Sequence, residues 1–182
     1  MKVVLIIPPS ALKKLEVVST HYPVNLGLIA ACLIEKGIEV EMWDYNVEAF
    51  TVRSFIDRIK KSSLDIMGFS CMTLNIKIGN YLAHLAKEAS KNIFTIVAGA
   101  HSTAMPVQTL EEFPDYDAII IGDGEETIIE ICDKLEKKIP LTGTLGIAHR
   151  VNGKIIMEQP RPLLDNLDEL PFPNRELGIR RL

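Results

Sequence analysis

The sequence predicts an α/β domain built around a parallel sheet, and three observations carry that prediction. Apolar runs of strand length alternate with segments of helical period in five successive units. The first run, "KVVLII" at 2–7, is rich in β-branched residues and apolar on both faces, as a central strand covered by helices on two sides must be. Prolines and glycines punctuate the units at their ends, and five βα units in a row imply right-handed crossovers.

Each element follows in order. Pro8 and Pro9 end the first strand. "PVNLGLIAACLIEKG" (23–37) predicts a helix that is apolar almost all round and stops at a glycine. "IEVEMWD" (38–44) alternates as a strand does, and "TVRSFIDRIKKS" sets Val52, Phe55, Ile56 and Ile59 on one helical face with Thr51 as its cap. "DIMGFS" (65–70) is the third strand, before a helix expected to bury Ile78, Tyr81, Leu82, Leu85 and Ala89. "IFTIVAG" (93–99) leads to a short helix around 104–112, and "DAIIIGDGEETIIEICDKL" (117–135) gives a strand, a glycine turn and a helix. After Pro140 the pattern changes to a hairpin at 145–159 turning on Asn152-Gly153. The proline-rich, acidic run after 160 predicts no regular element. The fold expected is therefore flavodoxin-like (Rossmann-like): a five-stranded parallel sheet, order 2-1-3-4-5, with a small C-terminal β-hairpin appendage.

Composition narrows the function. The 182 residues are 47% hydrophobic and 24% charged, within the range of one large globular domain. A net charge of −4 provides no basic footprint for nucleic acid and no polybasic stretch for a membrane surface. Cys32, Cys71 and Cys132 share no metal-ligand spacing, and with no signal peptide they are expected to be reduced, mostly buried thiols of a cytoplasmic protein.

Ligands of open parallel sheets bind beyond the carboxyl ends of the strands. There the sequence places "PPS" (8–10), "DYN" (44–46), "SCMT" (70–73), "GAHST" (99–103) and "GDGEE" (122–126). Small residues at the last three suggest one low floor beneath a large ligand. A dinucleotide is excluded, because the turn after the first strand holds no glycine to admit a pyrophosphate, and no Walker A loop exists. Asp44 is then a solvated strand end or a loop hydrogen-bond partner. "GFSCM" is no nucleophile elbow. A Cys71–His101 nucleophile–base pair competes with Cys71 as a small buried residue, and the second reading is preferred. His84 and His149 read as structural or solvated. Asp123 and Glu126 have the spacing of a capping box, which leaves Gly122 and Gly124 unexplained.

The whole chain resembles the cobalamin-binding domain that precedes the catalytic barrel in one class of radical S-adenosylmethionine enzymes. The stretches that carry the resemblance are "VVLIIPP", "YPVNLGLIAACLIEKGIEVEMWD", "DIMGFSCMT", "VAGAHSTAMP", "IGDGEETIIEI" and the exit "LLDNLDELPFPNR". Ala100 stands where the family has a second glycine, and Asp123 where it has a glutamate. The resemblance implies a corrin lying over the strand ends with its nucleotide tail threaded into the sheet. Gly99, Ala100 and Gly122 would clear the tail's path, Ser70 and Thr73 would hydrogen-bond the tail or corrin amides, and His101 would line the corrin edge. Pro9, Tyr22, Leu26, Met72, Asp123, Gly124 and Glu125 complete the expected cofactor-binding set.

The D-x-H-x-x-G motif of the cobalamin-dependent mutases and methionine synthase is absent. His21 follows Ser19 and Thr20 with Val24 three places on, so base-off cobalamin without a lower-face histidine is expected. The domains expected are 1–140 for cobalamin, 141–159 for the hairpin, and 160–182 as a linker toward a radical S-adenosylmethionine barrel. That barrel would hold the iron–sulfur cluster and S-adenosylmethionine, since the three cysteines here sit on separate units. No catalytic residue and no protein-ligated metal is expected on this chain, and cobalamin and the barrel would be its partners, not nucleic acid or membrane. Two readings compete. A response-regulator-like signalling domain would need acids after the first strand and an aspartate after the third, which "PPS" and "SCM" do not supply. A cofactor-free domain would keep the fold as a protein-interaction surface.

Overall fold

The computed structural model describes residues 1–9 and 21–179; residues 10–20, with Ser10, Ser19 and Thr20 of the readings above, lie outside the described residues. Five strands run parallel: β1 (Lys2–Ile7), β2 (Glu39–Asp44), β3 (Ile66–Ser70), β4 (Phe94–Ala98) and β5 (Ala118–Ile120). Two more, β6 (Ile147–Val151) and β7 (Lys154–Met157), are antiparallel. All seven belong to one sheet of order β2-β1-β3-β4-β5-β6-β7.

The order of the five parallel strands is the expected one, and the sheet count is corrected from five to seven. The hairpin is not an appendage but the sheet's continuation, since β6 pairs with β5 from Ala118↔His149 to Ile120↔Ile147. The physical reason is the edge. A three-residue β5 would otherwise present unpaired N–H and C=O groups to solvent. Asn152 and Gly153 make the hairpin turn with φ of 51° and 78°, the doubly left-handed geometry that matches strand twist.

Strand alternation sends side chains to two helical layers. Val4, Ile6, Met67, Val97 and Ile119 face α2 (Val52–Lys61), α3 (Ile76–Ala89) and α5 (Pro106–Glu112). Val3, Leu5, Ile66, Ile96 and Ile120 face α1 (Val24–Glu35) and α6 (Glu125–Glu136). Helix ends follow local chemistry. Thr51 caps α2 in a reciprocal pair with Ser54, and Gly37 leaves α1 at φ 76°. The helix expected around 104–112 is α5, and a further turn, α4 (Ala100–Ala104), comes before it; Met105 separates the two, because a proline disfavours helical geometry in the residue before it. Tyr81 is exposed on α3 rather than buried. The exit run is also more ordered than expected, with a 3₁₀ turn at Leu167–Glu169 capped by Asn166 and a short α7 (Glu176–Ile179).

Candidate functional site

Three loops meet at the carboxyl ends of β3, β4 and β5, and hydrogen bonds between them fix their relative positions. The Cys71 N–H donates to the Ala98 carbonyl at 2.8 Å, joining the ends of β3 and β4. Beyond it, Thr73 Oγ1 lies 3.1 Å from His101 Nδ1. Thr103 Oγ1 then accepts from the Gly122 N–H at 3.1 Å, tying α4 to the turn after β5. Met72 and Leu74 stand exposed on the same rim, so the surface above the strands mixes apolar side chains with fixed polar groups. Thr103 was not among the expected site residues. Its place in "AHSTA" gave no signal, because the bond it makes crosses to another unit.

Beneath this rim, on the α1/α6 side, is a small apolar slot of about 30 Å³. Leu5, Leu26, Ile29, Ile96, Ile120 and Ile128 line it, together with Gly68 and Ala98. The gap exists because β3 and β4 present almost no side chain there. A Cβ at Gly68 would meet only Leu5 Cδ2, at 3.4 Å. Ser70 is on the same face of β3 as Gly68 and is paired in register with Ala98, so it borders the slot's outer end. Leu26 and Ser70 were expected site residues. Gly68 was missed, although a glycine inside a strand marks either a bulge or a close approach.

The glycines expected to form one floor serve three purposes. Gly122 has φ 75° with nothing near the position of a Cβ, so its surroundings are open. Gly124 is buried, with Ile29 Cδ1 3.3 Å from where its Cβ would be. Gly99, at φ 120°, packs its α-carbon against the Cys71 backbone, where any Cβ would collide with the carbonyl. Its smallness is required by the β3–β4 junction itself, a reason separate from the path for the tail that was expected there. Ala100 is exposed at the start of α4.

Other expected residues divide plainly. Cys71 and His101 form no pair: the Cys71 sulfur lies 3.8 Å from the Tyr116 hydroxyl, and burial pushes its thiol up to about 12. Asp123 and Glu126 form no capping box, because Gly124 is the cap residue and Glu126 reaches Arg161 at 3.4 Å. Asp123 is exposed and Glu125 begins α6. Asp44 accepts from the Asn46 N–H at 2.9 Å, a loop partner as expected. His149 is buried and bonded to Glu158 at 3.0 Å, while His84 is half exposed beside Asp115. Pro9 is half-buried at the end of the described β1 loop and His21 is exposed. Tyr22 is turned toward the exit segment, donating to the Asn174 carbonyl.

The three cysteines are free and buried. Cys71 belongs to the α2/α3 layer and Cys132 to the α1/α6 layer, on opposite faces of the sheet. Burial raises Cys32 to about 11 and Cys132 to about 12, away from the thiolate form that ligates metals. Among the described residues no helix is long and apolar enough to cross a membrane.

This architecture is shared with known proteins. The B12 binding domain family matches residues 14–131. An uncharacterized methyltransferase, PH0819 of Pyrococcus horikoshii, is 36% identical over 179 residues, covering 97% of this chain and 39% of that protein. The cobalamin-dependent S-adenosylmethionine radical enzyme OxsB, solved with aqua-cobalamin and S-adenosylmethionine, superposes with a TM-score of 0.79 at 21% identity over 97% of this chain and 24% of its own. The radical S-adenosylmethionine methyltransferase TsrM from Kitasatospora setae, solved with cobalamin and a [4Fe-4S] cluster, gives 0.76 at 15% identity over 95% of this chain and 31% of its own. The chain thus spans well under half the length of each. With the family's pattern matched over residues 14–131, this chain belongs to the B12-binding domain family.

Proposed function

We propose that this chain is the corrinoid-holding domain of a radical S-adenosylmethionine methyltransferase or related enzyme, with cobalamin bound at the carboxyl ends of β3, β4 and β5. One observation carries the reading: an apolar slot between β1, β3, β4, β5 and the α1/α6 layer, near strand ends whose loops are held together by their own hydrogen bonds. A preformed apolar recess with a few oriented polar groups suits a large flat ligand with an amide fringe and an aromatic tail. Leu26, Gly68, Ala98 and Ile128 would receive the tail, with the Ser70 hydroxyl at the slot's outer end. Thr73, His101 and the exposed Gly122–Asp123 backbone would meet the corrin's amides, Met72 its apolar face, and Pro9, Ala100, Gly124 and Glu125 would frame the rim. Gly99 contributes indirectly, by holding the β3–β4 junction shut. At about 30 Å³ the slot is smaller than an aromatic base, so loading requires its walls to part.

Cobalamin held here would supply a cobalt centre for methyl transfer. The iron–sulfur cluster, S-adenosylmethionine and substrate belong to a second domain joined through residues 160–182, and the protein works in the cytoplasm. The base-off state without a histidine ligand rests on the missing D-x-H-x-x-G motif. Hydroxocobalamin mixed with the protein should shift the corrin's visible spectrum, and His21→Ala should leave the cobalt signature unchanged. No shift at high protein concentration removes the proposal, and loss of a nitrogen-ligand signature in His21→Ala removes its base-off part.

A further inference from the structure

Two motifs at opposite ends of the chain meet in space. Tyr22 lies directly on Gly27, where a Cβ would overlap its hydroxyl, and that hydroxyl donates to the carbonyl of Asn174. Asn174 in turn donates its N–H to the Gly27 carbonyl at 2.9 Å, and its Oδ1 accepts from the Leu177 N–H at 3.3 Å. Arg175 sets its guanidinium 5.6 Å from the Tyr22 ring centre. Leu177 then packs into the α1/α6 layer, which includes Val40 and Met42 of β2, and α7 lies against β2. Within a few residues the exit segment therefore bonds to the first turn of α1 and packs against the sheet edge beside it. Upstream, Arg161 fixes the same segment to Thr127 at 2.8 Å and to Glu130. Between these anchors Leu163, Leu167 and Phe172 project into solvent, Phe172 with 96% of its surface exposed.

The first two turns of α1 are also a wall of the slot, through Leu26 and Ile29. We propose that residues 174–177 are a clamp that holds this wall against the sheet, so that the slot opens when the clamp slackens. The inference rests on the corrinoid reading above and adds its regulation. The tie is short, so it cannot stretch while α1 lifts. It is also placed where any domain following the chain would pull on it. Docking of such a domain and loading of the slot are then linked through one pin, the Tyr22–Asn174–Gly27 contact.

The test uses the full chain with two variants, Leu177→Ser, which removes the apolar anchor, and Asn174→Pro, which removes the N–H to Gly27. Amide exchange of the ligand-free protein should rise in residues 24–30 and stay unchanged in β3 and β4. Hydroxocobalamin should associate faster in stopped flow with both variants, roughly 3–10-fold for Asn174→Pro, the change expected when one net hydrogen bond no longer opposes opening. Unchanged protection of residues 24–30 in both variants overturns the clamp, whatever the wild type does with cobalamin. Loosened exchange with an unaltered association rate overturns the link to the slot while leaving the binding site standing. A wild type that binds no hydroxocobalamin overturns the corrinoid reading itself.

Discussion

The two faces of the sheet are packed in different ways. On the α2/α3/α5 side, Trp43, Tyr45, Phe55, Phe69, Phe113 and Tyr116 are all buried, and several meet edge to face, as Trp43 and Phe55 do with ring centres 6.0 Å apart. Among the described residues the α1/α6 side fully buries no aromatic ring, Phe94 being only partly buried against it; its core is built from Val, Leu, Ile, Met, Ala and Cys132, and thins to Gly68 and Ala98 at the slot. A filled aromatic layer resists loss of volume, whereas an aliphatic layer with a gap tolerates gain of it. One face holds the fold together and the other has room for something else.

The largest expected effect is at the joint between strands. Gly99→Val puts a branched side chain into the Cys71 carbonyl at a left-handed φ, and should destabilise by at least about 4 kcal/mol, read by chemical denaturation. Phe55→Ala should cost about 3–5 kcal/mol on the filled face, with cobalamin affinity unchanged in the fraction that stays folded. A loss of affinity there would blur the division between faces.

Smaller changes sharpen the comparison on the open face. Gly122→Ala meets no neighbouring atom, so only its φ of 75° opposes it, at about 1–2 kcal/mol by thermal unfolding. The clamp's upstream anchor gives the smallest effect. Burial pushes the Glu130 carboxyl up, but hydrogen bonds from Arg161 and Lys134 outweigh it and hold the group below the usual carboxylate range. A depressed value stabilises the fold above the ordinary carboxylate range, and that contribution is lost as pH falls through the lowered value. Glu130→Gln should therefore be less stable than wild type by about 0.5–1 kcal/mol at neutral pH, and the difference should close as pH falls below the usual carboxylate range.

The strands, their order and the carboxyl-end loops were legible because each rests on local signals: β-branched runs, Pro8, Gly37, Gly122 and Asn152-Gly153. What the sequence could not show depends on distant pairs. The hairpin joins the sheet because β5 has an edge to cover, which no residue of "LGIAHRV" announces. Asp123 and Glu126 have capping-box spacing, yet Arg161, 35 residues beyond Glu126, takes the glutamate. Tyr22 was expected at the site from the family resemblance, while its bond to Asn174 crosses nearly the whole chain. Gly68 was open to notice, since a glycine in the middle of a buried strand costs stability unless something approaches it closely.

If the slot on the aliphatic face receives the ligand, filling it should abolish binding and spare the fold. Gly68→Val tests it, because a Cβ there meets only Leu5 Cδ2, at 3.4 Å, and Gly68 lines the gap that the side chain would enter. Titration of wild type and variant with hydroxocobalamin, followed by visible absorption alongside thermal unfolding, should show a melting temperature close to wild type and binding weakened at least 100-fold. Equal affinity in the two proteins, with the variant folded, would contradict it.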